Sequence, residues 1–171
     1  MLLCAPSGPG AWPAQIAPVA LRPGRPEDDA TCGRIVAAAN ASSGLSERLP
    51  FARAVLEDSA PFACDMGERL VALRGEAVVG FVDFVRSTGS IPYLFVLPGA
   101  QGQGVGGTLL EAAEAVFTGP AQITVPEANE RALAWYMRRG YREVGRQVQD
   151  DWHGGRVVWI LLAKLGRLRP G

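Results

Sequence analysis

Tyr93-Leu-Phe-Val-Leu-Pro98-Gly-Ala-Gln101-Gly-Gln-Gly104-Val-Gly-Gly107-Thr-Leu-Leu110 joins an apolar run to a helical pattern through a loop almost free of side chains. Four glycines (Gly102, Gly104, Gly106, Gly107) fall within six positions. The first N–H groups of a helix have no intrahelical partner, and the aligned peptide dipoles leave positive potential there. Glycine lets the backbone approach an anion closely. A strand, a glycine loop and a helix N-terminus together predict a pyrophosphate site, hence a nucleotide-containing cofactor.

Working outward, residues 19–22 read as a short strand, and Pro26-Glu-Asp-Asp29 starts a helix to about residue 39. Residues 40–44 read as a loop, and residues 47–58 as a second helix interrupted by Pro50. Residues 69–74 and 77–86 form a β-hairpin through Gly75-Glu76, and residues 91–97 are another strand. Val105, Leu109, Ala112, Ala113 and Val116 mark one buried face of a helix over 105–117, which Gly119-Pro120 ends. A strand at 122–125, a helix at 130–139 closed by Gly140, and strands at 141–149 and 156–163 complete the chain. This order predicts an α/β (α+β) fold: a mixed, mostly antiparallel central sheet with helices on its faces.

The loop parses in two ways. Gly102-x-Gly104-x-x-Gly107 satisfies the dinucleotide fingerprint, with Glu127 placed to bind a ribose. Too little chain follows for a second nucleotide-binding half, Pro98-Gly-Ala-Gln101 separates strand from first glycine, and the hairpin-like strands upstream are antiparallel. An NAD-binding oxidoreductase therefore remains only as an alternative. The second parse is Gln101-x-x-Gly104-x-Gly106, preceded by Val96-Leu-Pro98. Downstream lies Val125-Pro-Glu-Ala-Asn129-Glu-Arg-Ala132-Leu-Ala-Trp-Tyr136-Met-Arg-Arg-Gly140-Tyr141.

These two blocks, in this order, resemble the GCN5-related N-acetyltransferase (GNAT) family. The first matches its Gln/Arg-x-x-Gly-x-Gly/Ala loop, and the second its Asn-x-x-Ala helix with a Tyr-x-x-x-Gly-Phe/Tyr ending. Leu21-Arg22-Pro23 with Glu27-Asp28-Asp29 is similar to the usual first strand and helix start, so the resemblance spans about residues 19–165. It implies the acyl-CoA N-acyltransferase fold, with six to seven strands and helices on both faces. It implies an enzyme that passes an acetyl group from acetyl-CoA to a primary amine by direct attack in a ternary complex. A non-catalytic acyl-CoA-binding or regulatory module on the same fold is the other reading.

The resemblance assigns roles residue by residue. Backbone N–H groups of Gln101, Gly102, Gln103, Gly104, Val105, Gly106 and Gly107 would cradle the pyrophosphate, with Gln101 bonding the loop or a phosphate. Strands 94–97 and 122–125 would splay apart so that pantetheine pairs with the backbone of Phe95 and Val96, much as an added strand does. Pro126 suits a splayed strand end. A main-chain N–H near Val96 would face the thioester carbonyl. Asn129 is an N-cap by type and a pantetheine contact by resemblance. Tyr136 is the candidate general acid for the departing thiolate, or else a core tyrosine beside Leu133 and Met137.

Asp83, an acid within an apolar strand, is the candidate base; the competing reading puts it on a solvated face. His153 lies in a glycine-rich turn beside Asp150, Asp151 and Trp152. Residues 40–47 and this last hairpin would line the site of the acceptor, a small-molecule or peptide amine, where the two acids and Trp152 suit a cation.

Composition narrows the remaining classes. The 171 residues suit one domain (19–171) behind a flexible Pro/Gly/Ala-rich extension (1–18) that lacks the basic start of a signal peptide. Seventeen basic residues balance seventeen acidic ones, and Lys164 is the sole lysine, so nucleic acid finds no electrostatic footprint. The apolar runs are too short to span a membrane. Cys4, Cys32 and Cys64 are spaced for neither a disulfide framework nor a metal site, which points to reduced thiols and a cytoplasmic setting. The apolar strand 157–162 offers a route to a homodimer.

Overall fold

The computed structural model describes residues 18–49, 52, 62–65, 67–151 and 155–164. The expected extension at 1–18, all but its last residue, and most of the second helix at 47–58 lie outside them, as do Trp152 and His153. Seven strands form one sheet: β1 (Ala20–Pro23), β2 (Glu68–Arg74), β3 (Ala77–Val85), β4 (Ser90–Val96), β5 (Ala121–Pro126), β6 (Arg142–Asp151) and β7 (Gly155–Lys164). Their spatial order is β1-β2-β3-β4-β5-β7-β6. Every neighbouring pair is antiparallel except β4 and β5. A single parallel pairing cannot build a doubly wound nucleotide-binding half, which removes the structural basis of the dinucleotide parse.

Helices cover both faces. Along β2 and β3, Val71 and Phe81 pack with Cys32, Ile35 and Val36 of α1 (Asp29–Ser43). Their neighbours Ala72 and Val82 pack instead with Leu109 and Leu110 of α3 (Val105–Glu114). Successive strand residues point to opposite faces, so α1 and α3 lie on opposite sides. The short α2 (Leu45–Arg48) meets Val157 and Trp159 of β7, while α4 (Glu130–Arg138) joins the α3 side through Ala132, Leu133 and Tyr136. Cys32, on the buried face of α1, has its thiol pKa pushed up to about 11 by burial.

Three expectations change. The first helix runs on through Asn40 to Ser43, because the Ser42 and Ser43 hydroxyls donate back to the Ala39 and Asn40 carbonyls. Its stop is Gly44, at φ 70°, a left-handed conformation that glycine adopts without strain. The helix expected over 105–117 ends at Glu114, its last residues tightening into bonds from Val116 to Ala113 and from Phe117 to Glu114. Finally, β7 lies between β5 and β6, so neither of its edges is free; the edge strands of the sheet are β1 and β6.

The β4–β5 ladder holds only where Ser90 faces Gln122, and beyond it the strands part. Leu97 donates its N–H to the Val79 carbonyl on β3. By alternation, the N–H groups of Val96 and Leu94 point to the other side, toward β5. Beyond Ser90, the side of β4 that faces β5 is therefore an open main-chain edge.

Candidate active site

The opening between β4 and β5 leads into a cavity of about 390 Å³. Gln101, Gly102 and Gly106 line one part of it, Leu94, Phe95 and Val96 another, and Asn129, Trp135 and Tyr136 the side formed by α4. Asn40, Ser43 and Leu45, from the junction of α1 and α2, complete the wall. Most residues that the sequence singled out for binding, and the tyrosine singled out for catalysis, therefore share one space.

Each loop glycine has its own reason to be there. Gly102 and Gly104 take φ of 73° and 86°, where a side chain is strained, and no atom lies within 4 Å of an added Cβ at either position. Added Cβ atoms at Gly106 and Gly107 would press on the Trp135 ring at 3.3 Å and the Arg139 guanidinium at 3.2 Å. Gly104 is the N-cap of α3 and brings no side chain, so the first-turn N–H groups keep their positive potential for an anion. Gln101 Nε2 donates to the Val96 carbonyl at 3.0 Å, and Gln103 Nε2 donates to the Gly99 carbonyl at 2.8 Å. Arg74 in turn donates to Gln103 Oε1. Both glutamines thus pin the loop backbone. Arg139 stacks 3.7 Å from the centre of the Trp135 ring, and Arg131 and Arg138 also border the cavity.

Asn129 caps α4, its Oδ1 accepting from the Ala132 N–H at 3.1 Å. Tyr136 is 5% exposed, its ring set edge-on to Trp135 and to Tyr141, with centroids 4.8 and 5.3 Å away. Burial, with a smaller contribution from Glu114 and against the pull of Arg139, holds its phenol above the ordinary value of 10.0. Among the described residues no hydrogen bond reaches its hydroxyl.

Asp83 sits elsewhere. It is 3% exposed, which rules out the solvated face. Its two oxygens accept from Arg69 Nε and Nη2 at 2.6 and 2.7 Å, while Arg69 Nη1 donates to Asp29 and to the Phe62 carbonyl. Arg69 also lies 4.6 Å from the Phe81 ring centre. Burial pushes the Asp83 carboxyl up and the guanidinium pulls it back; the two-bond fork keeps the pair ionised. Asp83 borders a separate cavity of about 430 Å³ with Phe62, Cys64 and Tyr93. Asp150 is almost fully exposed, within 3.9 Å of Arg156. Glu127, the ribose candidate of the dinucleotide parse, is paired with Arg146 at 2.7 Å.

Sequence reasoning missed Trp135 and Arg69.

Residues 66–143 match the family model of the acetyltransferase (GNAT) domain. That stretch carries a GNAT domain. A GCN5-related N-acetyltransferase from Rhodopseudomonas palustris superposes with a TM-score of 0.74 at 25% identity, over 88% of this chain and 97% of that one. YjaB from Escherichia coli, in its apo form, gives 0.66 at 24% identity over 87% and 99%. YncA from Salmonella typhimurium, described with acetyl-CoA as its cofactor, gives 0.60 at 15% identity over 91% and 99%. The last two likenesses show the GNAT fold alone. No curated protein matches the chain by sequence.

Proposed function

We propose that this chain transfers an acetyl group from acetyl-CoA to a primary amine, by direct attack of the amine in a ternary complex. One observation carries the reading: a single cavity runs from the glycine loop at the start of α3, along the unpaired edge of β4, to the Tyr136 phenol. When bound, acetyl-CoA supplies the activated thioester.

The chain's own residues supply the rest. Backbone N–H groups of the loop and of the first turn of α3 hold the pyrophosphate, and the open space at Gly102 and Gly104 admits it. The free main-chain edge at Leu94 pairs with the pantetheine amides, the Val96 carbonyl being held by Gln101. The Val96 N–H stabilises the oxyanion that develops as the amine attacks. Asn129 spends Oδ1 on its cap and keeps two amide N–H groups for the arm. Tyr136 keeps its proton at every physiological pH and donates it toward the departing sulfur. Its high pKa makes complete transfer uphill to a thiolate near pKa 8.5, so its main effect is a hydrogen bond to growing charge.

Asn40, Ser43 and Leu45 border the acceptor side, which takes a small-molecule or peptide amine. That amine must lose a proton before it attacks. Asp83, which borders the separate cavity, accepts it only through water and by giving up a bond to Arg69.

Calorimetric titration of the purified chain with acetyl-CoA, with NADH as control, tests the cradle. Saturable binding of the thioester alone justifies an amine panel read out by thiol release. NADH binding, or no acetyl-CoA binding, removes the reading. A non-catalytic acyl-CoA-binding module would bind the thioester yet release no thiol with any amine.

A further inference from the structure

Strand β6 is one of the two edge strands of the sheet and, at ten residues against the four of β1, the longer; its inner side pairs with β7. Among the described residues no strand pairs with its outer side. Such an edge presents a row of unpaired N–H and C=O groups, a template for another strand. Val144 and Val148, at 58% and 54%, are the most exposed of the large hydrophobic residues. We propose that the outer edge of β6 pairs antiparallel with β6 of a second copy of this chain, about a two-fold axis at Val148.

Three observations select that register. The ladder with β7 slips between Glu143 and Gly145, so Val144 sits in a bulge and the regular part of β6 is residues 145–151. Its midpoint is Val148. A two-fold axis perpendicular to the sheet keeps each face on its own side, so only registers centred on a residue are allowed.

With the axis at Val148, Arg146 faces Asp150 of the second copy, Gln147 faces Gln149, and Val148 faces itself. The charge pair and the glutamine pair each occur twice. An axis at Arg146 sets two arginines against each other. Axes at Gln147 and Gln149 put Val148 opposite a charge, Arg146 in the first case and Asp150 in the second.

The charges are free to respond. Asp150 is 91% exposed and only 3.9 Å from Arg156. Arg146 uses one N–H on each of its three nitrogens for Glu127 and Glu143. Nη1 and Nη2 each keep a second one. Arg146, Val148 and Asp150 alternate along the strand and share a face, opposite Ile160, Val158 and Arg156 of β7. The dimer would show one stripe of Asp–Arg, Val–Val and Arg–Asp pairs across the joint.

Sedimentation equilibrium of the full chain over a dilution series tests this, beside Arg146→Asp, Asp150→Arg and the double variant. Each single change turns two attractive cross-strand pairs into like-charge pairs and should raise the dimer Kd about tenfold. The double variant restores opposite charges and should return it to within about threefold of the original. Val148→Lys, which sets two ammonium groups face to face, should leave monomer. Melting equal to that of the original chain at concentrations where both are monomeric separates these effects from misfolding. A wild-type chain that stays monomeric at its highest soluble concentration overturns the proposal. So does a dimer indifferent to the single swaps, or one that the double swap fails to rescue.

Discussion

Tyr136 and Asp83 are buried to nearly the same degree, at 5% and 3% exposure, and their polar atoms meet opposite fates. Both oxygens of Asp83 are engaged by Arg69, which also ties down the start of α1 through Asp29 and the segment at Phe62. The Tyr136 hydroxyl has no such partner and borders the open cavity. Buried polar groups are normally satisfied, because burial without a partner is costly. A buried group that is satisfied holds the fold together. One that opens on a cavity with no partner among the described residues stays available to a ligand.

The largest effect expected from this contrast is on stability. Asp83→Ala leaves the Arg69 charge buried with only Asp29 to face it, and should cost about 3–5 kcal/mol in denaturant unfolding. A loss under 1 kcal/mol would dissolve the distinction between the two residues. Tyr136→Phe should instead lower kcat about a hundredfold, roughly 2.7 kcal/mol of barrier, with unfolding unchanged and acetyl-CoA Kd within about twofold. Normal turnover by the Phe variant would take the acid role from Tyr136.

Smaller effects sharpen the comparison at the backbone. Gly104→Ala forces a side chain into the left-handed region and should cost about 1–2 kcal/mol of stability while weakening acetyl-CoA binding. Asn129→Ala removes the cap of α4, about 1 kcal/mol. Any further loss of acetyl-CoA affinity measures its contact with the pantetheine arm.

The pH profile should show the smallest change. Burial holds the folded pKa of Tyr136 above 10.0, so the phenol stays protonated, and kcat should show no alkaline decline that belongs to it below pH 10. The raised value also fixes the linkage sign: its contribution to stability is complete below the unfolded pKa and lost as pH rises through the folded one. An alkaline limb near pH 8 that vanishes in Tyr136→Phe would show that the pull of a cation such as Arg139 outweighs burial, since even a fully solvated tyrosine titrates near 10.

Much of this was legible in advance. Strand bounds were read within a residue or two, because alternation and glycine or proline punctuation are local signals. The glycine loop and the Asn129–Tyr141 block converge on one cavity because each is set by its own short segment: a strand end with a helix start, and a capped helix with its glycine stop. Asp83 was not legible. Its partner Arg69 stands fourteen residues away, and only the register that pairs the two across β2 and β3 shows the acid to be clamped. Asn40 and the serines after it look like loop formers, yet helical geometry lets the Ser42 and Ser43 hydroxyls serve carbonyls one turn back.

By itself, the sequence determined the element order, the loop chemistry and the tyrosine at the end of the helix, since these depend on residues within one turn or strand of each other. The tertiary structure alone decided that β7 is interior and β6 exposed, that Asp83 is held by Arg69, and that Tyr136 opens on the same cavity as Val96. Those outcomes depend on which strands lie side by side. That is set by the packing of two helical layers against one sheet, and no single stretch of chain contains it.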